Sequence, residues 1–297
     1  MMDIILNMDA LQQFYILNHS KMKTILVLTD LSKKAENASL YALKLAENLR
    51  ANIILYHCFK VFRSVVLPET GMWPMDGYED IKNESLVELK KLGDRLAKHH
   101  QHGNFKPMIQ ICNDMGDLGS NVHQLAEEKN IDLIVMGAKS DDIVSHILYG
   151  SETNAVLEEV KCPILFIPDQ CSFINLKTIV FSVDLKKYYP KAVGFLIDIA
   201  RIHQSQIITL HIGTNSDINP SQFVNMIQNV FEYTHVASKQ IPGEDVGEKL
   251  EEFLLLAHPD LTVMVHHQRS IFGEFIPGSN SKKMLYRHKT PLLILRD

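Results

Sequence analysis

TILVLTDLSKKAENASLYALKLAENLRANIILYHC (residues 24–58) aligns without a gap against TIVFSVDLKKYYPKAVGFLIDIARIHQSQIITLHI (residues 178–212). Thr24, Ile25, Asp30, Leu31, Lys33, Ala46, Ile53, Ile54 and His57 recur as Thr178, Ile179, Asp184, Leu185, Lys187, Ala200, Ile207, Ile208 and His211. The far ends agree too, since Gly150 and Pro163 are as far apart as Gly278 and Pro291. A period this long exceeds that of solenoid repeats and reads as a duplicated domain. Within each copy, short β-rich apolar runs alternate with helical patterns, the mark of a parallel sheet with helices on both faces. Copy one supplies TILVLTD, NIILYHC, KPMIQIC, IDLIVMG and PILFIP; copy two supplies TIVFSV, QIITLHI, THVASK, LTVMVHH and PLLILR. Their near-continuous apolar character suits strands buried on both faces. Between the first two, Ala38, Ala42, Leu45 and Leu49 recur at helical spacing. Copy two is trimmed around its second helix, near residues 220–232.

Composition bounds the rest. The 297 residues are enough for two domains of ordinary size. A 46% hydrophobic and 22% charged content is that of a globular protein with substantial cores. The net charge of −5 and the lack of a polybasic run argue against nucleic acid as a partner. Cys58, Cys112, Cys162 and Cys171 have irregular spacings, which reads as reduced intracellular thiols. No apolar run reaches the length of a membrane span, and the first residues lack the basic start of a secretory signal. A cytoplasmic protein with no membrane partner is the expectation. A buried first strand starts naturally at Met22, so residues 1–21 read as an N-terminal extension. The alternative is a short amphipathic segment docked through Leu11, Phe14 and Leu17.

Ligands of an open parallel sheet bind beyond the carboxyl ends of its strands. Asp30 ends the first strand, Cys58 follows the second and Gly137 closes the fourth, which then runs into GAKSDDIVSHILYGSETNAVL (137–157). Gly137 and Gly150 let backbone approach a ligand, and Gly150-Ser151 stands before a helix whose free N–H groups attract phosphate. Simpler roles fit the same residues. Asp30 and Ser151 suit helix capping, and the glycines suit tight turns.

At these residues the chain resembles the universal stress protein (UspA) superfamily, as a tandem two-domain member. Nucleotide-binding members carry G-x2-G-x9-G-[ST] between the fourth strand and the last helix; here Gly137, Ser140, Gly150 and Ser151 have that spacing, with serine at the second glycine. The resemblance implies that Asp30 and Cys58 hold the base side, that Gly137, Ser140, Gly150 and Ser151 take ribose and phosphates, and that the ligand is ATP or AMP, with Mg2+ as a companion. It implies an adenine nucleotide alpha hydrolase-like fold whose copies meet through their last strands. The expected architecture is thus α/β: two tandem five-stranded parallel-sheet sandwiches of strand order 3-2-1-4-5. The first spans residues 22–168, the linker 169–176 and the second 177–297. In copy two, His267 is expected at the place of Gly137, and the interval from Ser270 to Gly278 is two residues shorter than that from Ser140 to Gly150, so copy two reads as a degenerate site and a structural partner.

Other groups carry less. His57 and His211 lie inside strands and read as satisfied core histidines. His99, His100 and His102 close a helix, where cations complement the dipole, and lack the ligand set of a metal site. Residues 60–78, with Trp73, read as a lid or a dimer contact. There is no P-loop, no pyrophosphatase loop and no base placed for attack by water. The function expected is a stress-response regulatory module binding an adenine nucleotide in copy one, with at most slow ATP hydrolysis and with a homodimer or other proteins as its associations. A UspA-like interaction protein that binds no nucleotide is the alternative.

Overall fold

The computed structural model describes residues 22–60, 76–100, 105–138, 151–185, 189–213, 219–266 and 290–296. They fall into two compact units, one comprising Met22–Gly137 and Tyr149–Cys162, the other taking in Pro163–Asp297.

The first unit alternates β1 (Thr24–Leu28), α1 (Lys33–Leu49), β2 (Asn52–Phe59), α2 (Asp76–Lys98), β3 (Ile109–Met115), α3 (Leu118–Lys129), β4 (Leu133–Gly137) and α4 (Ser151–Glu159). β1 lies between β2 and β4, parallel to both, and β3 flanks β2. Covered on both faces, Ile25, Leu26, Val27, Leu133, Ile134 and Val135 are fully buried. α1 starts where Ser32 accepts a hydrogen bond from the Ala35 N–H. Its buried face carries Ala35, Ala38, Ala42 and Ala46, small residues that let the helix lie close on the sheet.

The second unit holds β5 (Ile164–Ile167), β6 (Thr178–Ser182), α5 (Pro190–His203), β7 (Gln206–Ile212), α6 (Pro220–Phe231), β8 (Val236–Ile241), α7 (Val246–Ala257), β9 (Leu261–His266) and β10 (Leu292–Arg296). Strands β6 to β10 carry the order 3-2-1-4-5 in their own chain sequence, and so do β1 to β5. β5 runs antiparallel to β10, with Leu165 opposite Leu293. The last strands of the repeats therefore meet, and this pairing makes the fold mostly rather than wholly parallel. The trimming of copy two is concentrated at its second helix, 12 residues in α6 against 23 in α2.

Three devices recur at equivalent positions. Both first helices end on a left-handed residue, Arg50 at φ 55° and Gln204 at φ 53°. Nδ1 of His57 lies 2.8 Å from the Thr29 carbonyl, and Nδ1 of His211 lies 3.2 Å from that of Val183. A carbonyl only accepts, so each imidazole carries its proton on Nδ1 and ties the second strand to the end of the first. At the opposite edge, Asp132 Oδ2 accepts from the N–H groups of Lys23 and Thr24 at 2.7 and 2.9 Å, and Asp260 Oδ2 accepts from those of Lys177 and Thr178, both at 2.8 Å. The main chain reciprocates, with Asp132 N–H donating to the Thr24 carbonyl and Asp260 N–H to that of Thr178.

The segment read as a linker packs against the second unit. Cys171 and Leu176 are buried, Ser205 donates to the Leu176 carbonyl, and His203 Nδ1 lies 2.7 Å from Asn175 Oδ1. None of the four cysteines is in a disulfide, and no described helix is long and apolar enough to cross a membrane.

Charge-assisted bonds to two backbone donors make the Asp clamps a large local term. Asp132→Ala and Asp260→Ala should each cost about 1–3 kcal/mol in urea unfolding, because two N–H groups lose their acceptor. A second expectation concerns pH. Burial holds the His203 imidazole below its ordinary value of 6.5, so the unfolded chain takes up this proton first. The contribution is present above about pH 6.5 and is lost as pH falls through the depressed folded value. Unfolding midpoints from neutral to mildly acidic pH should fall less steeply in His203→Gln than in the parent.

Candidate functional site

The pairing register decides which residues share the carboxyl edge. Leu28 lies opposite Tyr56 on one side and Met136 on the other. Two residues beyond the first pair stand Asp30 and Cys58; one beyond Met136 stands Gly137. Three of the residues singled out in the sequence are thus brought to one edge of adjacent strands. Ser140 and Gly150 lie outside the described residues, and Ser151 is described only as the first residue of α4. The segment around Trp73, His102 and residues 1–21 also lie outside.

Asp30 is exposed, and its Oδ1 accepts from the Ser32 N–H at 3.0 Å. The helix cap itself is Ser32, so capping is not Asp30's role. In copy two, Asp184 stands well before α5, whose cap position is Tyr189 without a side-chain bond. Between Asp30 and the cap, Leu31 adopts φ 63°, a left-handed conformation that costs a branched side chain about 1 kcal/mol or more. Leu185, its counterpart, is not left-handed.

Cys58 is tied down. Its thiol donates to the Gly116 carbonyl at 3.4 Å and receives Asn121 Nδ2 at 3.7 Å. Burial pushes its pKa up, against a smaller opposing effect of the Asn121 bond. The group is a half-buried thiol joining β2 to the turn before α3, not a thiolate nucleophile. That turn places Asp117 as the α3 cap; bonds from Ser120 hold its carboxyl below the usual range.

Gly137 faces a neighbour that its sequence position does not reveal. A Cβ there would lie 3.7 Å from Ala38 Cβ, 3.7 Å from the Lys34 carbonyl oxygen and 3.8 Å from Ala35 Cα. The side-chain direction points at α1, where the sequence suggests room for ribose. Gly119 is tighter, since a Cβ would fall 3.0 Å from the Ala155 carbonyl carbon. This glycine lets α3 and α4 approach and so helps to set where α4 begins.

Lys60 is a residue that the sequence reading missed. It follows β2 directly, and its Nζ lies 2.8 Å from Oε1 of Glu152, in the first turn of α4. The pair is half-exposed and contributes little stability, yet it sets a cation beside the amino end of that helix. The signal was a lysine two residues after Cys58.

Copy two requires a correction. Ser182 lies opposite Met264 as Leu28 lies opposite Met136. Val265, not His267, therefore occupies the place of Gly137, and His267 lies two residues further on. From Val265 to Gly278 is 13 residues, as from Gly137 to Gly150, so the loop of copy two is not shorter. The sequence reading took the end of the strand from its histidines, whereas β6 sets the register. Val265 is buried, and the counterpart of Cys58 is Ile212.

His100 has a carboxylate partner. Its Nδ1 lies 2.8 Å from Glu47 Oε1, and among the described residues no group of three His, Cys, Asp or Glu side chains is placed to hold a metal.

Comparison with known proteins gives the family. A family model described as the universal stress protein family matches residues 21–168, and a universal stress protein of Methanocaldococcus jannaschii is 28% identical over 161 residues, 52% of this chain and 91% of the relative. The chain belongs to the universal stress protein family. A second protein of that archaeon is 28% identical over 155 residues, 49% of this chain and 94% of the relative. Among solved structures, a universal stress protein from Archaeoglobus fulgidus superposes with a TM-score of 0.67 at 16% identity, covering 93% of this chain and 97% of that one. A functionally unknown protein from Pseudomonas aeruginosa gives 0.52 at 13% identity, covering 97% and 94%. Both likenesses are of fold.

The geometry around Gly137 separates two substitutions in this universal stress protein. Gly137→Ala adds a methyl at ordinary contact distance and should cost less than about 1 kcal/mol, while Gly137→His forces an imidazole against α1 and should cost about 1–3 kcal/mol in urea unfolding.

Proposed function

We propose that the first copy of this universal stress protein binds an adenine nucleotide, ATP or AMP, with Mg2+ accompanying the triphosphate. In this reading the bound state alters association with other proteins, and hydrolysis is slow or absent. The observation that carries the reading is the assembly at one sheet edge: Asp30, Cys58 and Gly137 on adjacent strands, with the start of α4 following and Lys60 beside it.

The parts suit the ligand chemically. The exposed Asp30 carboxylate accepts hydrogen bonds from an exocyclic amine or a ribose hydroxyl. The N–H groups opening α4 and the Lys60 ammonium favour phosphate oxygens, with Lys60 exchanging Glu152 for the ligand. Cys58, protonated and tied to Gly116, acts as a fixed wall. Left-handed strain at Leu31 is not repeated at Leu185, as expected where the first copy's loop is shaped for a ligand. Copy two, with Val265 and Ile212 at the matching places, serves as the structural partner.

One observation favours the second reading, an interaction protein that binds no nucleotide. Glu152 already sets a carboxylate in the first turn of α4, which satisfies the helix dipole without a phosphate.

Two measurements decide. Denaturing the freshly purified protein and analysing the supernatant by mass spectrometry should release adenine nucleotide. Calorimetric titration of nucleotide-free protein with ATP and Mg2+ should give one site per chain, weakened about tenfold by Lys60→Ala through loss of a phosphate partner. No binding and no released nucleotide would establish the interaction protein, and two equivalent sites would contradict the asymmetry.

A further inference from the structure

The sheet of the first unit ends at β3, whose outer side pairs with no strand among the described residues. Ile53 N–H donates to the Met108 carbonyl on the β2 side. Main-chain groups alternate along a strand, so those of Ile109, Ile111 and Asn113 point outward. Such edges are ordinarily blunted with polar or charged residues. β8, the corresponding strand of the second unit, obeys this, exposing Ala237, Ser238, Lys239 and Gln240. β3 does not. Met108, Ile111 and Met115 are 58%, 37% and 47% exposed, and a groove of about 610 Å³ between α2 and this edge is lined by apolar residues, Met108, Ile109 and Ile111 among them, together with the charged Lys90, Asp94 and Lys106.

We infer that this edge joins two copies of the chain by antiparallel pairing of β3 with its equivalent, about a twofold axis through Gln110. Charge selects the occupant and the register. With the axis at Gln110, Lys106 lies opposite the partner's Asp114, and the symmetry makes that pair twice. Both lie at non-hydrogen-bonded positions, where facing side chains are closest. Ile109 and the partner's Ile111 then exchange both main-chain bonds, which uses the outward-pointing groups. The Pro107 carbonyl accepts from the N–H of the partner's Asn113, while the missing proline N–H removes the second bond of that pair and leaves the carbonyl of the partner's Asn113 to water, at the end of the paired stretch. Moving the axis by one residue, to Ile111 or Ile109, breaks both charge pairs. The apolar side chains of Ile109 and Ile111 form one continuous strip across the joined strands, over the groove beside α2. This association is independent of nucleotide.

Sedimentation of the full chain at micromolar concentration tests it, with circular dichroism confirming that each variant folds. The parent should sediment at twice the chain mass and Ile111→Lys at the chain mass. Lys106→Asp and Asp114→Lys should each weaken dimerisation about tenfold or more, and the double swap should restore it. Gln110→Cys places a thiol on the axis, facing its own copy at about 4.5 Å between Cα atoms, within reach of a disulfide. Oxidised glutathione should cross-link it much faster than Met115→Cys. A monomeric parent, a dimer indifferent to Ile111→Lys, a double swap that fails to restore association, or cross-linking no faster at 110 than at 115 would overturn the inference.

Discussion

One carboxylate in each copy fixes where the sheet begins. Asp132 and Asp260 each accept two backbone N–H groups at the start of the first strand of their copy and return a main-chain bond to it. A parallel pair has no hairpin to set its register, so it must be set by side-chain pattern and by end contacts of this kind. Once the first and fourth strands are locked at their amino ends, the residues at their carboxyl ends follow. Asp30 and Gly137 stand at one edge because Asp132 holds the other. His57 and His211 then secure the second strand at the same edge, through carbonyls that would otherwise face the loop.

Much of this was legible in the sequence because buried parallel strands write themselves as apolar runs and duplication writes them twice. The alternation, the strand order and the meeting of the last strands all hold, and the helix read from the spacing of Ala38, Ala42, Leu45 and Leu49 is observed as Lys33–Leu49. What the sequence concealed depended on partners far along the chain. The Asp clamps look like ordinary loop acids in isolation, although Ile131-Asp132-Leu133 and Pro259-Asp260-Leu261 stand at matching places. Asp30 sits where a helix cap is expected, and Ser32 two residues later does that work. Gly137 reads as room for a ligand, while its missing side chain faces Ala35 and Ala38. The placement of His267 failed for a simple reason. Apolar composition continues through Val265 and blurs where a strand ends, and only its pairing with β6 shows the register.

The corrected register changes how the copies differ. Loop length no longer separates them; residue type does. The scaffold keeps its clamps, its left-handed helix ends and its histidine ties in both copies, at positions where substitution would cost folding energy. At the carboxyl edge the copies diverge, with Cys58, Leu31 and Gly137 of copy one replaced by Ile212, Leu185 and Val265 in copy two. A duplicated domain can diverge at this edge because the clamps at the opposite edge, the helix ends and the histidine ties keep the fold in both copies.

Hydrogen exchange of the full chain, with and without ATP and Mg2+, tests the asymmetry most directly. Slowed exchange confined to residues 29–32, 58–60 and 137–153 is the result this account predicts, with the matching segments 183–186, 212–214 and 265–281 unchanged. Equal protection of both sets, or protection of the second set alone, would contradict it.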